Sequence, residues 1–194
     1  MDKILEKLLV PDNSTILEGT KELRDAFKNP EIVPMLCNVI GTSSNPQVRQ
    51  YAALLLRKKL NKFAQWSKIP LDVRQKIKEG LLTALVNEQE KFVKTSIGQV
   101  IGTLVRHEFP NQTWPELMEW LQQMTTSQSE RDKELGFFTL QILTDISTDQ
   151  FLNHRNSFAM LFVSTLNSLT DPSSITAYLT LETMTNFVSS IEGD

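Results

Sequence analysis

The sequence predicts an all-α protein, a right-handed solenoid of HEAT-type repeats built from about five helical hairpins. Three observations predict it. Apolar residues recur at helical spacing almost everywhere, as in the stripe Leu135, Phe138, Thr139, Ile142, Leu143 and Ile146. No segment alternates as a half-buried strand would, and the 7 glycines form no Gly-rich loop. Prolines stand where helices start, at Asn29-Pro30, Asn45-Pro46 and Asp171-Pro172. In each pair an Asn or Asp that can cap precedes a residue that needs no amide partner in the first turn.

These signals cut the chain into about ten expected helices, near residues 2 to 9, 13 to 28, 30 to 41, 45 to 63, 70 to 86, 89 to 108, 114 to 126, 128 to 146, 149 to 169 and 172 to 191. The first, opening Met1-Asp-Lys-Ile-Leu-Glu-Lys, is charged and amphipathic, unlike a secretory leader. The second follows Leu8-Leu9-Val10-Pro11-Asp12, and the third and fourth follow the Asn-Pro pairs. Between the sixth and seventh lies the join Asn111-Gln-Thr-Trp-Pro-Glu-Leu117. There Thr113 is the expected cap, Pro115 sits in the first turn, and Glu116 completes a Thr-x-x-Glu capping box. Ser127 with Glu130 offers a second box for the eighth helix. The ten pair as five hairpins. In the second helix of each later pair a small residue sits mid-helix, at Ala53, Gly98, Gly136 and Thr180, in steps of about 45, 38 and 44 residues. Those steps approach the roughly 40 to 47 residues of HEAT or armadillo repeats, and two helices per unit favour HEAT.

At 194 residues and 40% hydrophobic the chain can bury a sizeable core. A single cysteine, Cys37, leaves no internal disulfide and fits a reducing compartment. In its apolar helical context it reads as a small buried hydrophobe rather than a nucleophile. No run approaches the eighteen apolar residues that cross a membrane. The net charge of −3 conceals an uneven distribution. Arg49 to Lys78 holds nine Lys or Arg against one acid, Asp72, while eleven Lys or Arg face twenty-two Asp or Glu elsewhere. A basic middle between acidic arms points to charged partners. The last helix carries Tyr178, Leu181, Met184, Phe187 and Val188, apolar residues that a following helix could cover, so residues 1–194 read as the amino-terminal part of a longer solenoid.

The run Asn45-Pro-Gln-Val-Arg-Gln-Tyr-Ala-Ala-Leu-Leu-Leu-Arg-Lys-Lys-Leu60, the sequence Trp114-Pro115-Glu116-Leu117 and the opening Leu8 to Asp12, in this order and spacing, resemble the importin-beta (karyopherin-beta) family of nuclear transport receptors. The resemblance covers the whole chain. It implies that amino-terminal repeats bind the GTPase Ran in its GTP state, mainly through inner helices, and that this binding releases import cargo inside the nucleus. It places Lys58 first among the Ran contacts, with Arg57, Lys59 and Lys62 near it and Lys94, Gln99 and Arg106 in the third inner helix. It also implies contact with Phe-Gly nucleoporins in grooves between outer helices. Basic proteins such as histones and ribosomal proteins are the cargo it suggests, with shuttling between cytoplasm and nucleus. No membrane partner or cofactor is expected.

Other readings of the same residues differ in class. Arg57-Lys58-Lys59 is also what a solvated helix end looks like, its cations complementing the carboxyl-terminal dipole. Tyr51, Phe63 and Trp66 interleave with the basic run as in nucleic-acid binders, but net acidity and helical spacing favour packed aromatics, so no direct nucleic acid is expected. Trp66 and Trp120 read as anchors between helices, and Trp114 as packing over the repeat join. His107 and His154 have no second ligand at metal spacing. Gly98 and Gly102 read as points of close helix approach. No phosphate loop, Ser-His-Asp order or paired carboxylates emerge, so the reading is not an enzyme. A HEAT scaffold without Ran dependence and an export carrier of the same superfamily remain the alternatives.

Overall fold

The computed structural model describes residues 1–191, so Glu192, Gly193 and Asp194 of the expected exposed end lie outside the described residues. Eleven α-helices are present among those residues, with no strand. They are α1 (Asp2–Lys7), α2 (Asn13–Ala26), α3 (Ile32–Thr42), α4 (Pro46–Leu60), α5 (Phe63–Trp66), α6 (Leu71–Asn87), α7 (Lys91–Glu108), α8 (Pro115–Thr125), α9 (Glu130–Ser147), α10 (Arg155–Ser168) and α11 (Ile175–Ile191). Two compact units divide within α7, Met1–Ile101 and Gly102–Asp194.

In Met1–Ile101 the helices pair as hairpins that stack. α1 packs on α2 and on α4, α3 packs on α4, and α3 also packs on α6. The sequence reason is clearest in α4. Asn45 stands in extended backbone and its Oδ1 accepts from the Gln47 amide at 3.0 Å, while Pro46 occupies the first turn. Val48, Ala52, Ala53, Leu56 and Leu60 then recur on one face and are fully buried. Each large member of that stripe contributes about 1.5–3 kcal/mol relative to exposure. The helix stops at Leu60 rather than running to 63, and Phe63–Trp66 forms the separate turn α5. Trp66 is fully buried there as an anchor, and Arg74 lies over its ring at 5.6 Å while donating to the Ile69 and Ser67 carbonyls, each at 2.7 Å.

Arg49 ties the second hairpin to the start of α7. It donates to Glu88 from Nε at 2.7 Å and from Nη2 at 2.8 Å, and from Nη1 to the Ser43 carbonyl at 2.9 Å. The same Glu88 carboxylate accepts from the Gln89 and Glu90 amides at 2.8 and 2.9 Å, satisfying donors that α7 leaves open at its start. Burial works against ionisation of Glu88, yet Arg49 and these amides hold its carboxyl below the ordinary range.

In Gly102–Asp194, α8 packs on α9, α10 on α11, and α9 on α11. Close approach is possible where a side chain is missing. A Cβ on Gly136 would stand 2.8 Å from Met124 Cβ and 2.9 Å from the Thr125 amide nitrogen, so α9 meets the end of α8 backbone to backbone. At Gly102 a Cβ would press on Ile146 at 3.2 Å, as the close-approach reading expected. A chain of rings fills the rest: Phe109 meets Phe151 at 5.2 Å edge to face, Phe151 meets Phe158 at 5.9 Å, and Phe158 meets Phe187 at 5.4 Å.

Several expected starts move. The Thr113–Glu116 box does not form: Trp114, 2% exposed, is the N-cap of α8 without a side-chain cap bond, and Thr113 Oγ1 donates to the Glu108 carbonyl at 3.0 Å. Pro115 still fills the first turn. Before α9 the capping acceptor is Ser129, whose Oγ accepts from the Asp132 amide at 3.3 Å, in place of the expected Ser127 and Glu130. Asn29 and Asp171 each close a short turn, accepting from the Glu31 and Ser173 amides at 2.9 and 2.8 Å, so α3 and α11 begin later than the Pro residues that follow them. The expected helix 149 to 169 opens as a 3-10 segment, Thr148–His154, before α10. On α11, Phe187 is buried against the rings, whereas Tyr178, Leu181, Met184 and Val188 are exposed.

Candidate functional site

The basic end of α4 is split by its own helical rotation. Successive residues turn by about 100°, so Arg57, Lys58 and Lys59 leave the helix in three directions. Arg57 Nη1 donates to Gln99 of α7 at 2.7 Å, Lys58 is exposed, and Lys59 Nζ lies 5.6 Å from the centre of the Phe27 ring at the end of α2. Lys62 follows as the exposed cap of α5. A groove of about 710 Å³ lies between α2 and α4. Leu23, Phe27 and Leu55 line it together with Arg24, Lys58, Lys59 and Lys62. Four cations and no carboxylate thus stand on a partly apolar floor, a surface that raises the local concentration of acidic ligands.

The remaining expected site residues are placed elsewhere. Lys94 is half-buried on α7, and Gln99 is the acceptor of Arg57. Arg106 belongs to Gly102–Asp194, where its Nη2 donates to the Ile146 carbonyl at 2.5 Å and its Nε to Ser147 Oγ at 3.3 Å, closing the end of α9. Arg24 of the groove escaped the sequence reading. Its signal was the i, i+3 spacing from Phe27 on the expected helix 13 to 28; what the sequence did not supply was that α2 lies beside α4.

Of the aromatics in the basic segment, Trp66 is buried and Tyr51 half-buried, but Phe63 is 52% exposed and is not the packed ring expected. Trp120 is half-buried. Cys37 is half-buried and desolvation pushes its thiol up to about 12, which disfavours the thiolate at neutral pH. Among the described residues no three His, Cys, Asp or Glu group as a metal site, and no helix is long and apolar enough to cross a membrane.

Two further grooves lie between first helices of hairpins. One of about 520 Å³ separates α3 from α6, where Gly41 and Gly80 face open space beside Cys37 and Ile40. The other, about 590 Å³, is lined from α8 and α10 by Met118, Leu121, Phe158, Met160 and Leu161, with His154 at its rim.

Helical hairpins repeated at HEAT spacing define a helical-repeat protein. Residues 19–87 match the family model described as importin-beta N-terminal domain, and residues 89–194 match the one described as IPO5-like, TPR repeats. The chain belongs to the importin-beta family. It is 30% identical over 194 residues to importin-4 of Mus musculus, covering 100% of this chain and 18% of that protein. It therefore spans less than a fifth of that relative. Its fold is that of the Kap95 chain in the Kap95:Nup1 complex, with a TM-score of 0.82 and 20% identity over 97% of this chain and 24% of the other. The structure of Kap95p that describes its effect on the switch loops of RanGDP aligns with a TM-score of 0.80 and 21% identity over 99% of this chain and 23% of that one.

Proposed function

We propose that this chain is the amino-terminal part of a nuclear import receptor that binds Ran in its GTP state, with Lys58 as the leading contact. The observation that carries the reading is the exposed Lys58 at the cation-rimmed α2–α4 groove, in a chain of the importin-beta family. Arg57, Lys59, Lys62, Lys94, Gln99 and Arg106 are the secondary contacts; Arg57 and Arg106 already hold Gln99 and the end of α9, so they act by shaping the surface as much as by touching the partner. Binding of this kind needs no chemistry at the site. It requires that Ran and cargo be favoured by opposing states of the receptor, a coupling of roughly 1–3 kcal/mol or more.

Basic nuclear proteins such as histones and ribosomal proteins are the proposed cargo, carried by a receptor that shuttles between cytoplasm and nucleus. Phe-Gly nucleoporins are the proposed occupants of the apolar α8–α10 groove, whose Met118 and Met160 can adapt to an aromatic ring. The exposed face of α11 at Tyr178, Leu181, Met184 and Val188 is proposed to be covered by a further hairpin of a longer solenoid.

Calorimetric titration with Ran locked in the GTP form, and separately in the GDP form, tests the central claim. Selective GTP-form binding that Lys58→Glu weakens is the expected result. Equal affinity in the two nucleotide states removes the import-receptor reading in favour of a scaffold. A rise in environment-sensitive dye fluorescence that Leu181→Glu abolishes tests the α11 face.

A further inference from the structure

The α2–α4 groove does not end at Phe27. A second groove of about 430 Å³ shares Phe27, Lys59 and Gln65 with it and continues along the turn between α2 and α3 to the turn between α5 and α6. Ile69 and Val73 extend the apolar floor. Along the two together stand six cations, Arg24, Lys28, Lys58, Lys59, Lys62 and Lys68, against a single carboxylate, Glu31. Lys28 is paired with Asp25 at 2.7 Å and Lys59 is held over Phe27. Among the described residues Lys58, Lys62 and Lys68 carry no ion pair. Unneutralised cations gathered on one tract repel one another, and a polyanionic ligand relieves that repulsion on binding.

The tract's shape and floor select among polyanions. It is a pair of adjoining open hollows with an apolar bed, which fits an extended chain with apolar side chains between its charges. Single-stranded nucleic acid would use exposed rings as stacking platforms. Neither Trp66, which is fully buried, nor Tyr51 lines either groove, and the ring that does, Phe27, is half-buried beneath Lys59. We propose that the tract binds an extended acidic peptide, its apolar residue seated on Leu23 and Leu55 and its carboxylates meeting Lys58, Lys62 and Lys68. The tract extends the α2–α4 groove through Lys28 and Lys68, and it requires no GTPase.

The test uses the 194-residue chain and a fluorescein-labelled dodecapeptide with Glu at alternate positions and Leu-Phe at its centre, read by anisotropy. Saturable binding is expected, weakened by rising salt, and weakened roughly tenfold or more by Lys68→Glu and by Lys62→Glu. Replacing the central Leu-Phe by Ser-Ser should weaken it several-fold. Thermal melts matching the parent show that the variants fold, and Lys68→Gln serves in place of any that does not. Because Lys68 is outside the proposed Ran contacts, Lys68→Glu should leave the Ran titration unchanged, so the two readings fail separately. Absent saturation, indifference to Lys68→Glu and Lys62→Glu, equal affinity for the Ser-Ser peptide, or tighter binding of oligouridine than of the peptide would each overturn the proposal.

Discussion

The two compact units share a hairpin plan but are joined internally by different chemistry. In Met1–Ile101 a buried ionic tie spans the unit: Arg49 reaches Glu88 across thirty-nine positions, and that carboxylate also opens α7. In Gly102–Asp194 the Arg106 bonds to the end of α9 are joined by rings and missing side chains, with Phe158 touching Phe151, Phe162 and Phe187, and Gly136 admitting the end of α8. One repeat plan thus accommodates both buried directional bonds and dispersed ring packing, and the two respond to different perturbations. Ionic ties answer to pH and to loss of one partner, whereas packed rings answer to volume.

The largest expected effect tests the ring-packed unit. Phe158→Ala removes the ring shared by four aromatic neighbours, His154 among them, and should cost about 3–5 kcal/mol in denaturant unfolding. Hydrogen exchange should accelerate first in Gly102–Asp194; acceleration confined to Met1–Ile101 would break the comparison. Next is Arg49→Ala, which leaves Glu88, its side chain 3% exposed, without its cation and should cost roughly 3 kcal/mol. Here the exchange signature should appear in Met1–Ile101.

The same pair gives a pH prediction. Glu88 has a folded pKa below its unfolded value, so its contribution is complete above the ordinary carboxylate range and fades as pH falls through the folded pKa. Glu88→Gln should therefore flatten the acid side of the stability curve relative to the parent, and an unchanged acid limb in urea titrations across pH would count against the ionic tie. Gly136→Ala comes third. Helix propensity favours the change by about 1 kcal/mol, but a Cβ against Met124 and the Thr125 backbone opposes it, for a net loss of about 1–2 kcal/mol in melting experiments. Smallest is Lys58→Glu, an exposed change expected to move stability by less than about 0.5 kcal/mol, so that its effect on partner binding can be read cleanly.

Much of the fold was legible because helix formation is local. Asn45 and Pro46 start α4 as read, since a cap and a fixed φ act within one turn. The buried small residues Ala53, Gly136 and Thr180 also fell where the repeat spacing put them. The capping boxes were less legible. Thr113 and Ser127 had local rivals for their hydroxyls, the Glu108 carbonyl and the Asp132 carboxylate, and sequence spacing does not rank such rivals. Of the candidate site, the cations Lys58, Lys59 and Lys62 were readable from composition, whereas Arg24 was not, because it enters only through the neighbour opposite.

Residue order alone makes this protein helical, places most of its helices, sets the hairpin repeat and concentrates its positive charge in one segment. Those follow from periodicity and short-range bonding. Packing between helices is what turns Arg57 to Gln99 and Lys59 over Phe27, closes Glu88 onto Arg49, and takes Phe187 inward while Tyr178 stays exposed. The physical reason is that a residue's place in a helix is fixed by its near neighbours, whereas its partner is fixed by which other helix the buried stripe packs against.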